Sequence, residues 1–78
     1  MDIKFVKALA IAYGNYRAAL ARATIMFSEE GDRPVLLEVI FTAKALLSLQ
    51  EALGFEVVEN EVLEQSIKDA RADYQAED

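Results

Sequence analysis

Fourteen carboxylates and three serines (Ser28, Ser48 and Ser66) are the groups that could carry chemistry in this 78-residue chain, which holds no Cys and no His. Without those two residue types there is no thiol nucleophile, no disulfide, no zinc site of the Cys/His kind and no imidazole base. The serines therefore lack the base that would activate them. Carboxylate pairs are the remaining option for acid–base work. Glu38 and Glu51 are the two acids inside the most apolar segment. On one helix they stand about 20 Å apart, too far to act on one bond. A di-metal carboxylate bundle would show Glu-x-x-His, and residues 28–32 do not follow the calcium-loop pattern. Three glycines are too few for a phosphate or dinucleotide loop. The expectation is a protein that is not an enzyme, with no catalytic residue, cofactor or metal site.

Charge points to binding instead. Residues 1–28 carry Lys4, Lys7, Arg17 and Arg22 against Asp2, or +4 − 1 = +3. Residues 29–78 carry four bases and thirteen acids, or −9, which gives the chain its net −6. An acidic protein is a poor ligand for nucleic acid, since phosphate neutralisation supplies most of that affinity. It suits a basic protein surface better. Glu56, Glu59, Glu61 and Glu64 form the densest acidic run, with no base between them. They are the candidate partner-binding residues. The plainer role for the same run is an anionic helix start.

The elements that must position these groups are helical. Residues 28–34 (SEEGDRP) and 54–60 (GFEVVEN) interrupt three segments of helical periodicity, at about 2–28, 34–53 and 60–75. In the first, Phe5, Leu9, Ala12, Tyr16, Ala19, Ala23 and Met26 form a seam at alternating steps of four and three. Val6, Tyr13, Leu20 and Phe27 broaden it, and Tyr13 and Tyr16 read as core-edge residues whose hydroxyls reach water. The far side holds Ala10, Ile11, Gly14, Ala18 and Ile25, where polar residues would be normal. Ala10, Gly14 and Ala18, spaced by four, would let another backbone approach closely.

In the second segment Pro34 suits the first helical turn, with Arg33 extended before it as the cap. Gly54 suits the stop, with Phe55 making the apolar contact that often accompanies it. One face carries Leu36, Val39, Ile40, Ala43, Leu46, Leu47 and Leu53. Another carries Leu37, Phe41, Ala45, Leu49 and Ala52. A helix apolar nearly all round needs cover on every side, more than two neighbours give it. In the third segment Asn60 can cap, Glu64 can pair with Lys68, and Leu63, Ile67, Ala70 and Tyr74 make one narrow stripe. Val57 and Val58 read as a connection that plugs the core.

These patterns predict one all-α domain over residues 1–78: two long helices in a hairpin plus a shorter C-terminal amphipathic helix. A chain this short, 54% apolar and without disulfide or metal, gets little stability from one core. A homodimeric helical bundle follows as the expectation, or a higher oligomer. Its interface would use Ala10, Ile11, Gly14, Ala18, Ile25, Leu37, Phe41 and Leu49. The N-terminal Lys4, Lys7 and following apolar run fail as a signal peptide, because Asn15 and Arg17 interrupt them and the amphipathic pattern continues. No run reaches the ~18 apolar residues of a membrane span. A cytoplasmic protein is expected.

Small acidic domains without catalytic groups are a type that phages and mobile elements direct against host enzymes. The leading functional expectation is thus a regulator or inhibitor that binds a larger host protein or complex. The alternative is a structural or assembly subunit of a helical oligomer. A further alternative is a protein that meets DNA or a membrane surface through basic helix 1, although direct nucleic-acid contact is not expected from the overall charge.

Overall fold

Asp2 sets the start of the first helix. Its backbone is extended (φ −68°, ψ 135°), and its carboxylate accepts the Lys4 N–H at 3.0 Å. This satisfies one of the unpaired donors at a helix start. A computed structural model describes residues 2–27 and 33–76. Helix α1 runs Ile3–Arg22, α2 Arg33–Leu53 and α3 Asn60–Ala76. The three-helix, all-α expectation holds, and no strand occurs among the described residues. The predicted end of the first helix at residue 28 and the turn at 28–32 lie outside the described residues, as do the side chains of Met26 and Phe27.

One correction falls at the end of α1. The chain does not continue as an α-helix beyond Arg22 but widens into a π-helical turn, Ala23–Phe27. The Ala23 N–H is shared between the carbonyls of Ala19 and Leu20, and the Thr24 hydroxyl donates to the Leu20 carbonyl at 3.0 Å. Periodicity alone gives no sign of this turn.

Helix α2 is the centre of the molecule. Both α1 and α3 pack on it, and no Cα of α1 comes within 8 Å of a Cα of α3 among the described residues. The core is Leu9, Tyr16 and Ala19 from α1, Leu36, Val39, Ile40, Ala43 and Leu46 from α2, and Leu63, Ile67 and Ala70 from α3. Most of the predicted seams are therefore correct. Phe5 is an exception, at 51% exposed, and of the residues expected to broaden its face Val6 (46%) and Leu20 (39%) are exposed as well. The first turn of α1 overhangs, and Leu9 is its first buried side chain. Tyr16 is buried, and its hydroxyl shares a 2.7 Å hydrogen bond with Ser66 Oγ instead of reaching water. That bond is a direct tie between α1 and α3.

The α2–α3 connection is organised by a residue the sequence reading did not single out. Gln50 is buried, and its amide makes four hydrogen bonds. Oε1 accepts the N–H groups of Val57 and Val58, both at 2.9 Å. Nε2 donates to the Val58 carbonyl and to Asn60 Oδ1, both at 2.8 Å. An amide so placed uses its full capacity, so its burial carries no unpaired polar atom. Gly54 ends α2 at φ +66°, as expected, and its N–H and that of Phe55 both donate to the Gln50 carbonyl.

Three details of this connection differ from expectation. Phe55 stays 48% exposed and makes no apolar seal. Val58 packs partly on the core, but Val57 does not, because Gln50 holds the segment by its backbone and leaves that side chain outside. Asn60 does not cap: it is the first residue of α3, and Gln50 uses its side-chain oxygen. The Glu59 carbonyl instead accepts from Val62 and Leu63. At the other end, α2 starts at Arg33, one residue earlier than predicted.

The molecule is long and thin, 43 × 18 × 14 Å, with a radius of gyration of 13.1 Å. A compact domain of this length would have about 11.5 Å. Its accessible surface is 5136 Å², against about 4,700 Å² for a compact chain of its mass. The excess follows from the layout, in which α2 is flanked and not enclosed.

Candidate interaction surface

The uncovered side of α2 carries Phe41, Ala45, Ser48 and Ala52, all exposed. Helical spacing places them in one strip, directly opposite the buried Val39, Ala43, Leu46 and Gln50. Phe41 is the largest of them and is 64% exposed. Beside this strip a groove of about 290 Å³ runs between α1 and α2. It is lined by Ala8, Ile11, Ala12, Asn15, Thr42 and Ala45. No α3 residue contributes to it. The Thr42 hydroxyl donates to the Glu38 carbonyl at 2.6 Å, so the groove's hydroxyl is satisfied from within its own helix.

The predicted interface residues divide into two groups. Ala10, Ile11, Gly14, Ala18, Ile25 and Phe41 are exposed. Leu37 and Leu49 are half-buried and already pack on the core of their own chain. Around α1, Ile11 borders the groove, and Gly14 and Ala18 continue from it along the same side of the helix; Ile25 lies beyond the α-helix, in the π-helical turn, beside Ala21. A Cβ built on Gly14 would meet nothing within 4 Å. Packing inside the chain therefore does not require glycine there.

The acidic run is exposed in full but is not one patch. Glu56, Glu59 and Glu61 surround Asn60 at the start of α3. Glu64 borders a shallow depression with Lys44, Leu47, Ile67, Lys68 and Arg71. Glu61 and Glu64, three residues apart, stay neighbours on one side of α3, but Glu64 is the one set beside bases. The expected Glu64–Lys68 ion pair does not form. Among the described residues the one ion pair is Arg22–Glu38, at 3.0 Å, closing the exposed end of the hairpin.

The basic side of α1 is likewise dispersed. Arg17 lies over the ring of Tyr13, 5.6 Å from its centroid, and donates to the Tyr13 hydroxyl at 3.0 Å. Arg22 is occupied by Glu38. Lys4 and Lys7 sit in the overhanging first turns. Among the described residues no three carboxylates converge as a metal site would need, and no helix is long and apolar enough to cross a membrane.

A third depression, about 260 Å³, opens between α1 and α3 over Leu36 and Val39 of α2, with Asp69 and Asp73 on its α3 edge. It marks where α1 and α3 part beyond the Tyr16–Ser66 bond. Comparisons with models of protein families, with curated proteins and with solved structures found no match to this chain.

Proposed function

We propose that this chain is a non-enzymatic protein–protein interaction module of the cytoplasm, which pairs with its own kind and binds a larger protein as a small acidic regulator or inhibitor. One observation carries the reading. Ile3, Ile11, Ile25 and Phe41 are 61–66% exposed on a chain of 78 residues. Apolar surface arranged in strips marks an interaction site more often than a free surface does. The homodimer contact draws on Ala10, Ile11, Gly14, Ala18, Ile25, Leu37, Phe41 and Leu49. The larger partner, with a basic surface, meets Glu56, Glu59, Glu61 and Glu64, none of which lines the groove.

The test is capture from cells of the native host, with three baits compared: the natural chain, a Glu56/Glu59/Glu61/Glu64→Gln variant and an Ile25→Glu variant. The expected result is a larger protein retained by the natural chain and lost with the Gln variant. Retention that is indifferent to all five substitutions would defeat the reading. A second reading, an assembly subunit, is favoured by exposed apolar residues on both long helices, Ile3 and Ile11 on α1 and Phe41 on α2, since a subunit with more than one neighbour needs an extended surface. A species larger than a dimer in sedimentation would select it.

A further inference from the structure

We propose that the cleft between α1 and α3 receives an arginine side chain of the larger partner, with its aliphatic stem on the apolar walls and its guanidinium between Asp69 and Asp73. The proposal rests on the reading of the chain as an acidic module with a basic partner. It adds a site to that reading, since no cleft residue belongs to the acidic run or to the homodimer contact. Its first support is shape. Beyond the 2.7 Å bond of Tyr16 to Ser66, α1 and α3 part, and the space between them measures about 260 Å³. Leu36 and Val39 of α2 form its floor, and Leu20 and Ala23 stand on its α1 wall. Leu20 is 39% exposed there. A cavity of about 150 Å³ accepts a benzene ring, so three methylenes and a guanidinium have room.

Charge is the second support. Asp69 and Asp73 lie one helical turn apart on the α3 edge, a spacing that sets their Cβ atoms about 5–6 Å apart. No base among the described residues lines the cleft. Lys68 and Arg71 border the depression beside Lys44 instead, and Arg22 is held by Glu38. Asp69 accepts a 2.8 Å hydrogen bond from Gln65 Nε2, which fixes one of its oxygens. The two carboxylates are too few to hold a metal ion. Nucleic acid has the wrong sign. An arginine brings five N–H donors in one plane, enough for both carboxylates, and its head is less strongly hydrated than an ammonium. Its stem suits an apolar wall.

The third support is the position of Asp73 in its own helix. Aspartate is a poor helix former. In the last turn of α3 the helix dipole disfavours an anion, and a like charge four residues away disfavours it again. Asp73 makes no hydrogen bond or ion pair with a described residue that would offset this. Local rules broken without gain to the fold mark functional positions.

The experiment is a titration of the isotope-labelled full chain with N-acetyl-arginine amide, read by amide NMR shifts. Saturating shifts are expected at Leu20, Ala70 and Asp73. N-acetyl-citrulline amide keeps the stem and drops the charge, and guanidinium ion keeps the charge and drops the stem. Each is expected to bind about tenfold more weakly, or worse. Asp69→Asn combined with Asp73→Asn should weaken arginine amide by about the same factor. Glu56→Gln, Glu59→Gln and Glu61→Gln together should leave it within about twofold. Thermal melting supplies a readout that a structural role would move the other way: Asp73→Asn should raise the melting temperature, whereas loss of a structural aspartate lowers it. The proposal is overturned if the shifts at the start of α3 match those in the cleft, if citrulline amide binds equally well, or if the Asn variant binds unchanged. Capture from host cells tells the two failures apart. No larger protein on the natural chain defeats the wider reading and leaves the titration to decide the cleft. A larger protein retained equally by the Asn variant keeps the wider reading and removes the cleft from it.

Discussion

The two long faces of the α1–α2 hairpin are built from the same residue types, yet only one of them is covered. The inner face turns Leu9, Tyr16, Val39, Ala43 and Leu46 toward α3, and these are almost fully buried. The outer face turns Ala8, Ile11, Phe41 and Ala45 to solvent. The inner face also holds its polar groups in closed arrangements, Tyr16 with Ser66 and Gln50 with the 57–60 backbone. On the outer face Thr42 bonds within its own helix, whereas Asn15 and Ser48 face solvent. Composition thus does not distinguish a core from an interface. What distinguishes them is whether this chain has a third helix on that side. Folding stability should reside in the inner face and association in the outer one.

Substitutions that separate the faces give the largest expected effects. Leu46 and Leu63 are fully buried on either side of the α2–α3 contact. Leu46→Ala or Leu63→Ala should cost about 2–5 kcal/mol of folding stability in urea denaturation. In a chain this small that approaches the whole stability. Phe41→Ala should change folding stability by about 0.5 kcal/mol or less once dimerisation is accounted for. A Phe41→Ala loss as large as that of Leu46→Ala would erase the contrast between the faces.

Next in size is Gln50. Replacement by Leu keeps the volume but strips the partners from the Val57 and Val58 N–H groups and from Asn60. A buried donor left unpaired costs about 1–3 kcal/mol. The expected loss is roughly 2–3 kcal/mol, with faster amide exchange at Val57 and Val58 before any change in α1. Unchanged exchange at those two amides would mean that the connection is held by Gly54 and Val58 alone.

The sequence displayed this fold well where burial repeats along a helix. The seams of α2 and α3, the glycine stop at 54 and the partnerless apolar side of α2 all follow from spacing. It displayed less where a single side chain acts across the fold. Gln50 in the midst of Leu and Ala looks like any solvent-facing polar residue, and only the path of residues 55–60 gives it four partners. The end of α1 is similar: the helix widens beyond Arg22, where the Thr24 hydroxyl bonds back to Leu20, and the hydrophobic pattern gives no sign of it. The candidate surface was half legible. Phe41 and Ile11 stand out as unpartnered apolar residues, but that they flank one groove depends on how α1 lies against α2, which periodicity does not fix.

A smaller effect is expected at Gly14, and it sharpens the comparison within α1. The open space around it means that alanine fits without a clash inside the chain. Gly14→Ala should raise monomer stability by about 1 kcal/mol through helix propensity. If Gly14 and Ala18 lie in a close contact between copies, the same change should weaken association while the melting temperature of the dissociated chain rises. Gain in both would assign pairing to the groove residues alone. Ala18→Leu and Gly14→Leu extend the test: overpacking of a tight helix contact costs typically 1–3 kcal/mol, whereas Arg17→Leu should leave association unchanged.

The smallest effect is expected at the acidic start of α3, which differs from both hairpin faces in being charged, exposed and dispersed. Of its four acids, Glu61 lies in the first helical turn, where the helix dipole favours an anion by about 0.3–1 kcal/mol. Glu64 lies a turn further on, beside Lys68 and Arg71. Replacing Glu56, Glu59, Glu61 and Glu64 with Gln should therefore lower folding stability by about 1 kcal/mol, most of it from Glu61. The decisive quantity is kinetic. Electrostatic docking speeds association and is screened over roughly 8–10 Å at physiological salt. With a basic partner, the association rate of the natural chain should fall as salt rises, and the quadruple variant should be slower with a flatter slope. Restoring Glu56, Glu59 and Glu61 together should recover most of the rate, because those three surround Asn60. Restoring Glu64 alone should recover little. A salt slope identical in the natural chain and the quadruple variant would reduce these four residues to a helix start and leave partner recognition to the apolar strips.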